Sequence, residues 1–485
     1  MTPELPDRLD LWDFSGVGKK PWRPGDKGDA ARSAYSEEAC GEIVKFCKEL
    51  QESINRDDSA IFRLNAGAEA DSFDDEEGEK KTSVFKDSGT RVNKYAGILF
   101  FRGKTIVIHS RFDHSDKDYF LSYALRKLSV PSRSSDMFAP PAAAGKMEEL
   151  LLPRVFLELL ASACDVGLYR QYQTVLYNDS SPRGHIDIAR HIRLNPMENG
   201  RIAYSSRVYT IDNPVNRVIL AAYTALRGKY GGEMARLLQS DSRLSRPVQT
   251  LLEQLGGVDL SPASVRQLIH KADTPITHPM HRRYETLRRM SIMILRSEGL
   301  DFFSQADDLR ASGVLIPMDR VWERLLESLF PEGTLTAQTK FDILGGRRQL
   351  KPDLLLPAAV FDAKYRLPWT QTYCDDMKGS AGKKSLAWTR SNIREDVFQV
   401  LSYMYVLGLS TGGVIFPYPG DASKAEPERV FIRRYSENLP ENLRGEETFW
   451  LFPFPLPAKA DSQAEFDQIM EKNSNGFVKW MEFFQ

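Results

Sequence analysis

A chain of 485 residues with 42% hydrophobic and 27% charged side chains is long enough for several domains with cores of their own. No apolar run approaches the roughly 20 residues needed to cross a bilayer, and the opening MTPELPDRLDLWDF lacks the basic region and apolar core of a signal peptide. A net charge of −1 argues against coating nucleic acid by bulk attraction, and four cysteines without a C-x-x-C pair frame no disulfide scaffold, so the cytoplasm is the expected compartment.

Residues 1–135 are expected to form an amino-terminal α+β module. It opens on KKPWRPGDKGD, continues into a helix from about Glu37 to Ile54, and passes through the acidic EADSFDDEEGEKK, a solvated loop. YAGILFFRGKTIVIHSRF then reads as a hairpin with Arg102-Gly103-Lys104 at its turn, and PSRSSDMFAPPAAAG has linker composition. Residues 146–300 are expected to be a mainly helical connecting domain. MEELLLPRVFLELLASAC is amphipathic around Pro153. In DNPVNRVILAAYTALRGKYGG, Asp212 or Asn213 can cap, Pro214 suits the first turn and glycines end the helix. RRYETLRRMSIMILRS adds a helix with a basic start.

Residues 301–485 are expected to hold the chemistry. MDRVWERLLESLF places Val321, Trp322, Leu325, Leu326 and Leu329 on one helical face. TAQTKFDIL, a Gly345-Gly346 turn and RRQLKPDLLL read as a hairpin. AVFDAKY follows as a third short strand, REDVFQVLSYMYVLGL as a second helix, and GGVIFPY and ERVFIRRY as two more strands. The expected fold class is α/β, mixed α+β overall, with the order helix, three strands, helix, strands in this last part.

Lys351-Pro352-Asp353 puts a carboxylate at the mouth of one strand. Phe361-Asp362-Ala363-Lys364-Tyr365 puts an acid and a lysine two apart on the next, facing the same side. Acid-x-Lys triplets arise by chance in so charged a chain, as at Glu79-Lys80-Lys81 and Asp376-Met377-Lys378, but those two lie in polar stretches. Asp362 and Lys364 instead interrupt an apolar strand, where charge is seldom buried without a partner or a metal. Two carboxylates and a lysine at a sheet edge can hold a divalent cation and polarise a water beside it. On the second helix Asp396, Gln399 and Tyr403 share one face. Between these elements a polar insert, Arg366 to Arg394, carries Lys378, Lys383, Lys384 and Arg390, either a clamp on a DNA backbone or an exposed loop.

This ordered set resembles the PD-(D/E)xK nuclease core. Asp353 matches its first acid, Asp362 the second and Lys364 the lysine; Gln399 fits the second helix, and Glu323 lies where many members carry an additional acid. A narrower resemblance, over roughly residues 147–435, is to the McrC-like family, the nuclease subunit of modification-dependent restriction systems. Asp362-Ala363-Lys364-Tyr365, Trp322-Glu323 and Asp396-x-x-Gln399-x-x-x-Tyr403 carry it, with Gly184-His185-Ile186-Asp187 and Asp212-Asn213-Pro214-Val215-Asn216-Arg217 upstream. The resemblance implies an endonuclease of anti-phage defence acting on double-stranded DNA. It implies Mg²⁺, with Mn²⁺ as a substitute, on Asp353, Asp362 and the Ala363 carbonyl, and a catalytic set completed by Lys364, Gln399 and Glu323. It also implies a McrB-like AAA+ NTPase partner using GTP or ATP, docked and stimulated by the amino-terminal module, and two nuclease subunits for a double-strand cut. The chain has no G-x-x-x-x-G-K-[ST] loop, so a partner is expected to supply NTP hydrolysis. Two other readings stay open: a stand-alone nuclease with the same core, and a non-catalytic adaptor that regulates an AAA+ ring.

Overall fold

The computed structural model describes residues 5–17, 19–21, 35–57, 61–63, 82–113, 117–129, 147–197, 199–257, 259–297, 311–331, 341–343, 348–377, 391–420, 422–433, 446–457 and 459–484. The chain divides into two compact units, residues 1–148 with 309–485, and residues 149–308. Among the described residues no helix is long and apolar enough to cross a membrane.

Two sheets organise the first unit. In the amino-terminal sheet the expected hairpin forms from Tyr95–Phe101 and Lys104–His109, turning at Arg102 and Gly103, whose φ values of 49° and 68° are both left-handed. Arg8–Trp12 adds parallel to Lys104–His109. On the other side comes Ser312–Pro317, antiparallel to Tyr95–Phe101, and then Ile61–Arg63. A strand from the segment expected to begin the third domain therefore lies inside the first sheet. Gly97 and Gly313 make the approach possible: at φ 145° and 156°, a Cβ on either would stand 2.1 Å from a carbonyl oxygen of the neighbouring strand. Helix Glu37–Arg56, capped by the Ser36 hydroxyl, covers this sheet with Ile43, Phe46, Cys47, Leu50 and Ile54.

The second sheet runs in the order Leu354–Leu355, Val360–Ala363, Thr411–Pro419, Glu446–Leu456, Glu428–Arg433. Its three middle strands are mutually parallel and the outer two antiparallel. A parallel step needs a crossover, and helix Ser391–Leu407 lies between Val360–Ala363 and Thr411–Pro419 in the chain. RRQLKPDLLL is not one strand. Arg348–Leu350 pairs with Phe341–Ile343 as a separate ribbon, Pro352 can offer no ladder N–H, and Leu354–Leu355 starts afresh in the larger sheet. The insert after Arg366 begins as helix Leu367–Met377, with Trp369, Thr370 and Tyr373 buried, so its first part is packed structure. Glu446–Leu456 and the helices Tyr119–Ser129 and Gln463–Met481 complete the unit; Arg126 joins the two helices through both oxygens of Asp467 at 2.6 and 2.7 Å.

The middle unit is helical from Pro214 onward. Asn213 caps helix Pro214–Lys229 by accepting from Asn216 N–H, while Asp212 pairs with Arg217. Residues 171–210 differ from the helical expectation. Gln171–Asp179 and Ile202–Thr210 form a nine-residue antiparallel ribbon, joined by the short His185–Ile186. Opposed tyrosines mark it, Tyr172 on Tyr209 at 5.0 Å and Tyr177 stacked on Tyr204 at 5.2 Å. In the last helix, Arg282–Ser297, Arg283 pairs with Asp165, and Arg288 and Arg289 pair with Glu285.

Candidate functional site

The charged residues singled out in the sequence meet at one end of the second sheet. Lys351-Pro352 leads Asp353 to the start of Leu354–Leu355, and its Oδ2 accepts from Ala363 N–H at 2.8 Å. Asp362, in mid-strand opposite Val414, is 2% exposed. Its neighbours crowd it with like charge. Burial, then Asp362 and Glu323, push the Asp353 carboxyl far above the usual carboxylate range. Burial likewise raises Glu323, with Arg320 opposing and Asp362 adding to the rise. Glu323 arrives here because helix Met318–Ser328 leaves the amino-terminal sheet directly, buries Val321, Trp322, Leu325 and Leu326, and anchors Trp322 Nε1 on the Ile415 carbonyl at 3.4 Å.

Lys364 supplies the opposite charge. Its Nζ ion-pairs with Asp362, lies 3.4 Å from Asp396 Oδ1, and donates to Gln399 Oε1 at 3.0 Å. Burial disfavours its charge, but Asp362 and Asp396 more than compensate and hold the ammonium above its ordinary pKa. Gln399 is oriented in turn: its Nε2 donates to the Tyr403 hydroxyl at 2.7 Å, which donates to the Lys351 carbonyl at 3.1 Å. Asp396, buried, also accepts from Trp369 Nε1 at 2.8 Å and pairs with Arg366 at 3.2 Å. Asp353, Asp362, Lys364, Gln399 and Glu323 are thus brought together. Lys378, Lys383, Lys384 and Arg390 lie outside the described residues, as does the Gly345-Gly346 turn.

Among the described residues no three His, Cys, Asp or Glu side chains already close on one point as a finished metal cage. The donor chemistry nevertheless fits a hard divalent cation. Two adjacent carboxylates, a third acid within electrostatic reach and a strand-end carbonyl form an all-oxygen set, and burial together with the neighbouring acids raises the pKa values of both Asp353 and Glu323. A family profile described as "McrBC 5-methylcytosine restriction system component" matches residues 90–417. The chain belongs to this McrBC family. Its McrC-like character, implied by the motifs around Asp362 and Gln399, agrees with that assignment. No curated protein matches the chain. Among solved structures it is similar to a chain of the "Refined half-complex from tetradecameric assembly of Thermococcus gammatolerans McrB AAA+ hexamers with bound McrC", at 13% identity and a TM-score of 0.40 over 96% of this chain and 99% of that one. It is also similar to a chain of the "Cryo-EM structure of the Thermococcus gammatolerans McrBC complex", at 14% identity and a TM-score of 0.27 over 66% and 86%.

Two features of this McrBC-family chain escape sequence reading. Asp396 shares a helix face with Gln399 in the sequence, but its part as the joint holding Lys364, Arg366 and Trp369 needs the fold. The ribbon of the middle unit exposes Tyr172, Leu176, Ile186 and Tyr209, and the adjoining helix Ile188–Leu194 buries nothing and exposes Ile188 and Ile192 at 68% and 66%. Val175, Leu176 and the tyrosines of QYQTVLYND suit a strand, yet nothing in them says that Tyr172 and Leu176 stay uncovered.

Proposed function

We propose that this chain is the McrC-type endonuclease subunit of a restriction system, cutting double-stranded DNA in concert with a separate AAA+ NTPase that it stimulates. The observation that carries the reading is the meeting of Asp353, Asp362, Glu323 and Lys364 at one end of a sheet flanked by helices Met318–Ser328 and Ser391–Leu407. That order of helix, strands, helix and strand supports a PD-(D/E)xK core. Asp353, Asp362 and the Ala363 carbonyl would hold Mg²⁺, with Mn²⁺ as a substitute and Glu323 as a further acid. When bound, the ion supplies Lewis acidity at the scissile phosphate and eases deprotonation of the attacking water. Lys364, held cationic, acts as a donor to charge developing on the phosphate rather than as a base. Gln399 and Asp396 keep its ammonium aimed while it lets go of Asp362. Two such subunits together cut both strands.

The exposed ribbon at 171–210 supports a protein partner, since Tyr172, Leu176 and Tyr209 are exposed together on one face of it, and grouped apolar exposure marks interaction sites. We assign the docking of the AAA+ NTPase to it, in preference to the amino-terminal sheet, whose apolar residues are buried. The same observation favours a regulatory role toward the ring alongside catalysis. Plasmid cleavage with Mg²⁺, comparing the chain with Asp362→Ala, with and without the AAA+ protein and NTP, on methylated and unmethylated DNA, tests the reading. Cleavage that needs partner and NTP and disappears in the variant is expected. Cleavage by the lone chain would instead support a stand-alone nuclease, and NTPase stimulation without cleavage in any arm a pure adaptor.

A further inference from the structure

We propose that Tyr365 and Arg111 form a plug and socket through which the amino-terminal sheet positions Lys364. The inference rests on the nuclease reading and adds to it two residues that touch neither metal nor DNA. The acids of the site are fixed by their own sheet, Asp362 within the Val360–Ala363 strand and Asp353 by the Ala363 N–H. Lys364 lies beyond that strand, and the last rung it shares is its own N–H to the Ile415 carbonyl at 2.8 Å. A lysine has a long, flexible stem, so Gln399 and Asp396 can aim its ammonium only if the backbone that carries it is fixed as well. That backbone is pinned from the other side, at Tyr365.

The carbonyl, hydroxyl and ring of Tyr365 are held by residues 13–14 and 110–112. Its carbonyl accepts from Arg111, its hydroxyl bonds Ser110 Oγ at 3.2 Å, and its ring lies under the Arg111 guanidinium at 4.4 Å. Phe112 meets the ring edge-on at 5.4 Å, and Phe14 flanks it at 5.9 Å. The same two phenylalanines lie 4.8 and 4.9 Å from the guanidinium, closing an aromatic cage around a side chain 2% exposed. Phe14 reaches its place through a left-handed backbone, φ 52°, which a non-glycine residue adopts only under constraint. Asp13, fully buried, accepts from the Arg111 N–H and orders the turn. Packing alone would be satisfied by aliphatic residues at far lower desolvation cost. A guanidinium that grips the peptide one residue after the lysine fixes a direction as well as a volume.

The test uses the full chain with its AAA+ partner, NTP and Mg²⁺, and compares wild type, Asp362→Ala, Arg111→Lys and Tyr365→Phe. Arg111→Lys keeps the charge and loses the planar grip. Its expected effect is a fall in kcat of about 100-fold, the scale for a misplacement of about 1 Å. KM for DNA and Mn²⁺ affinity, titrated calorimetrically on the chain without partner, should stay within twofold, because the acids are held by the sheet. Tyr365→Phe should lower kcat several-fold with the same unchanged binding. A merely structural role would lower Mn²⁺ stoichiometry and the cooperativity of melting together with kcat, and that result overturns the proposal, as does wild-type kcat in a folded Arg111→Lys. Should Arg111→Lys fail to melt cooperatively, Tyr365→Phe decides, and wild-type kcat there also overturns it. Absent cleavage by wild type, or cleavage by Asp362→Ala, is a different signature: it removes the nuclease reading itself, and the positioning role with it.

Discussion

The acid-lysine centre and the ribbon of the middle unit break the ordinary partition of polar and apolar groups in opposite directions. At the centre, Asp362 and Asp396 are buried, and burial and neighbouring acids raise the pKa values of Asp353 and Glu323. On the ribbon, Tyr172, Leu176 and the isoleucines of the adjoining helix face water. Either choice lowers the stability of the isolated chain, and the function proposed above would relieve each, with a cation in one place and an apolar partner surface in the other. Misplaced polarity therefore separates two functions that composition, with its net charge of −1, averages away.

The comparison breaks most visibly if one change abolishes both functions. Lys364→Ala is expected to reduce cleavage by about 10²–10³-fold while AAA+ binding and NTPase stimulation stay at wild-type level; turnover and pull-down on the same preparation check this. Conversely, Leu176→Asp with Ile192→Asp should weaken partner binding tenfold or more, as loss of buried apolar anchors does, and shift unfolding free energy by no more than about 0.5 kcal/mol, as surface changes do. Binding measured by interferometry beside a urea melt decides it. Asp353→Asn sharpens the acid side. With the cost of protonating one crowded carboxyl removed, the melting temperature in chelator should rise by a few degrees, and added Mg²⁺ should stabilise wild type but not the variant. A lower melting temperature would mark Asp353 as structural.

The smallest effect concerns a buried charge that is fully partnered. His109 lies between Asp118 at 2.7 Å and Asp10 at 3.1 Å; burial opposes its charge, but the two carboxylates lift its pKa from 6.5 to about 10. A raised folded-state pKa contributes stability that is complete below the unfolded value and is lost as pH rises through the folded one. Urea midpoints should therefore fall between pH 7 and 10 in wild type, and His109→Gln should lower the pH 7 value and flatten that slope.

Much of the centre was legible because its decisive pieces are local in sequence. Asp353, Asp362 and Lys364 lie within twelve positions, and strand periodicity alone says that the last two point together. Gln399 and Tyr403 were legible by helical spacing. Arg111 was not, since it meets Tyr365 across 254 positions and nothing in HSRFDHSD separates a socket from a polar turn. The strand Ser312–Pro317 was missed for a similar reason. A short apolar run, SGVLIP, fits any sheet with a vacancy, and only the close approach permitted by Gly97 and Gly313 selects this one. The hairpin turn was legible as a turn, but the partners of its two charges were not. Arg102 turns the hairpin and pairs with Glu49, and Lys104 ties down the Leu5 carbonyl and Asp7.

That interior strand also sets a timetable. Tyr95–Phe101 leaves the ribosome more than 200 residues ahead of its neighbour Ser312–Pro317. At bacterial or eukaryotic elongation rates of about 5–20 residues per second, the hairpin's open side waits on the order of ten seconds or more for closure. During that interval residues 149–308 can complete themselves as a unit, while the sheet on which Lys364 depends stays unfinished and open to stray strand pairing. The helix bearing Glu323 and the socket for Tyr365 are thus secured late, so a chain arrested before residue 317 would carry a finished middle unit and no competent centre.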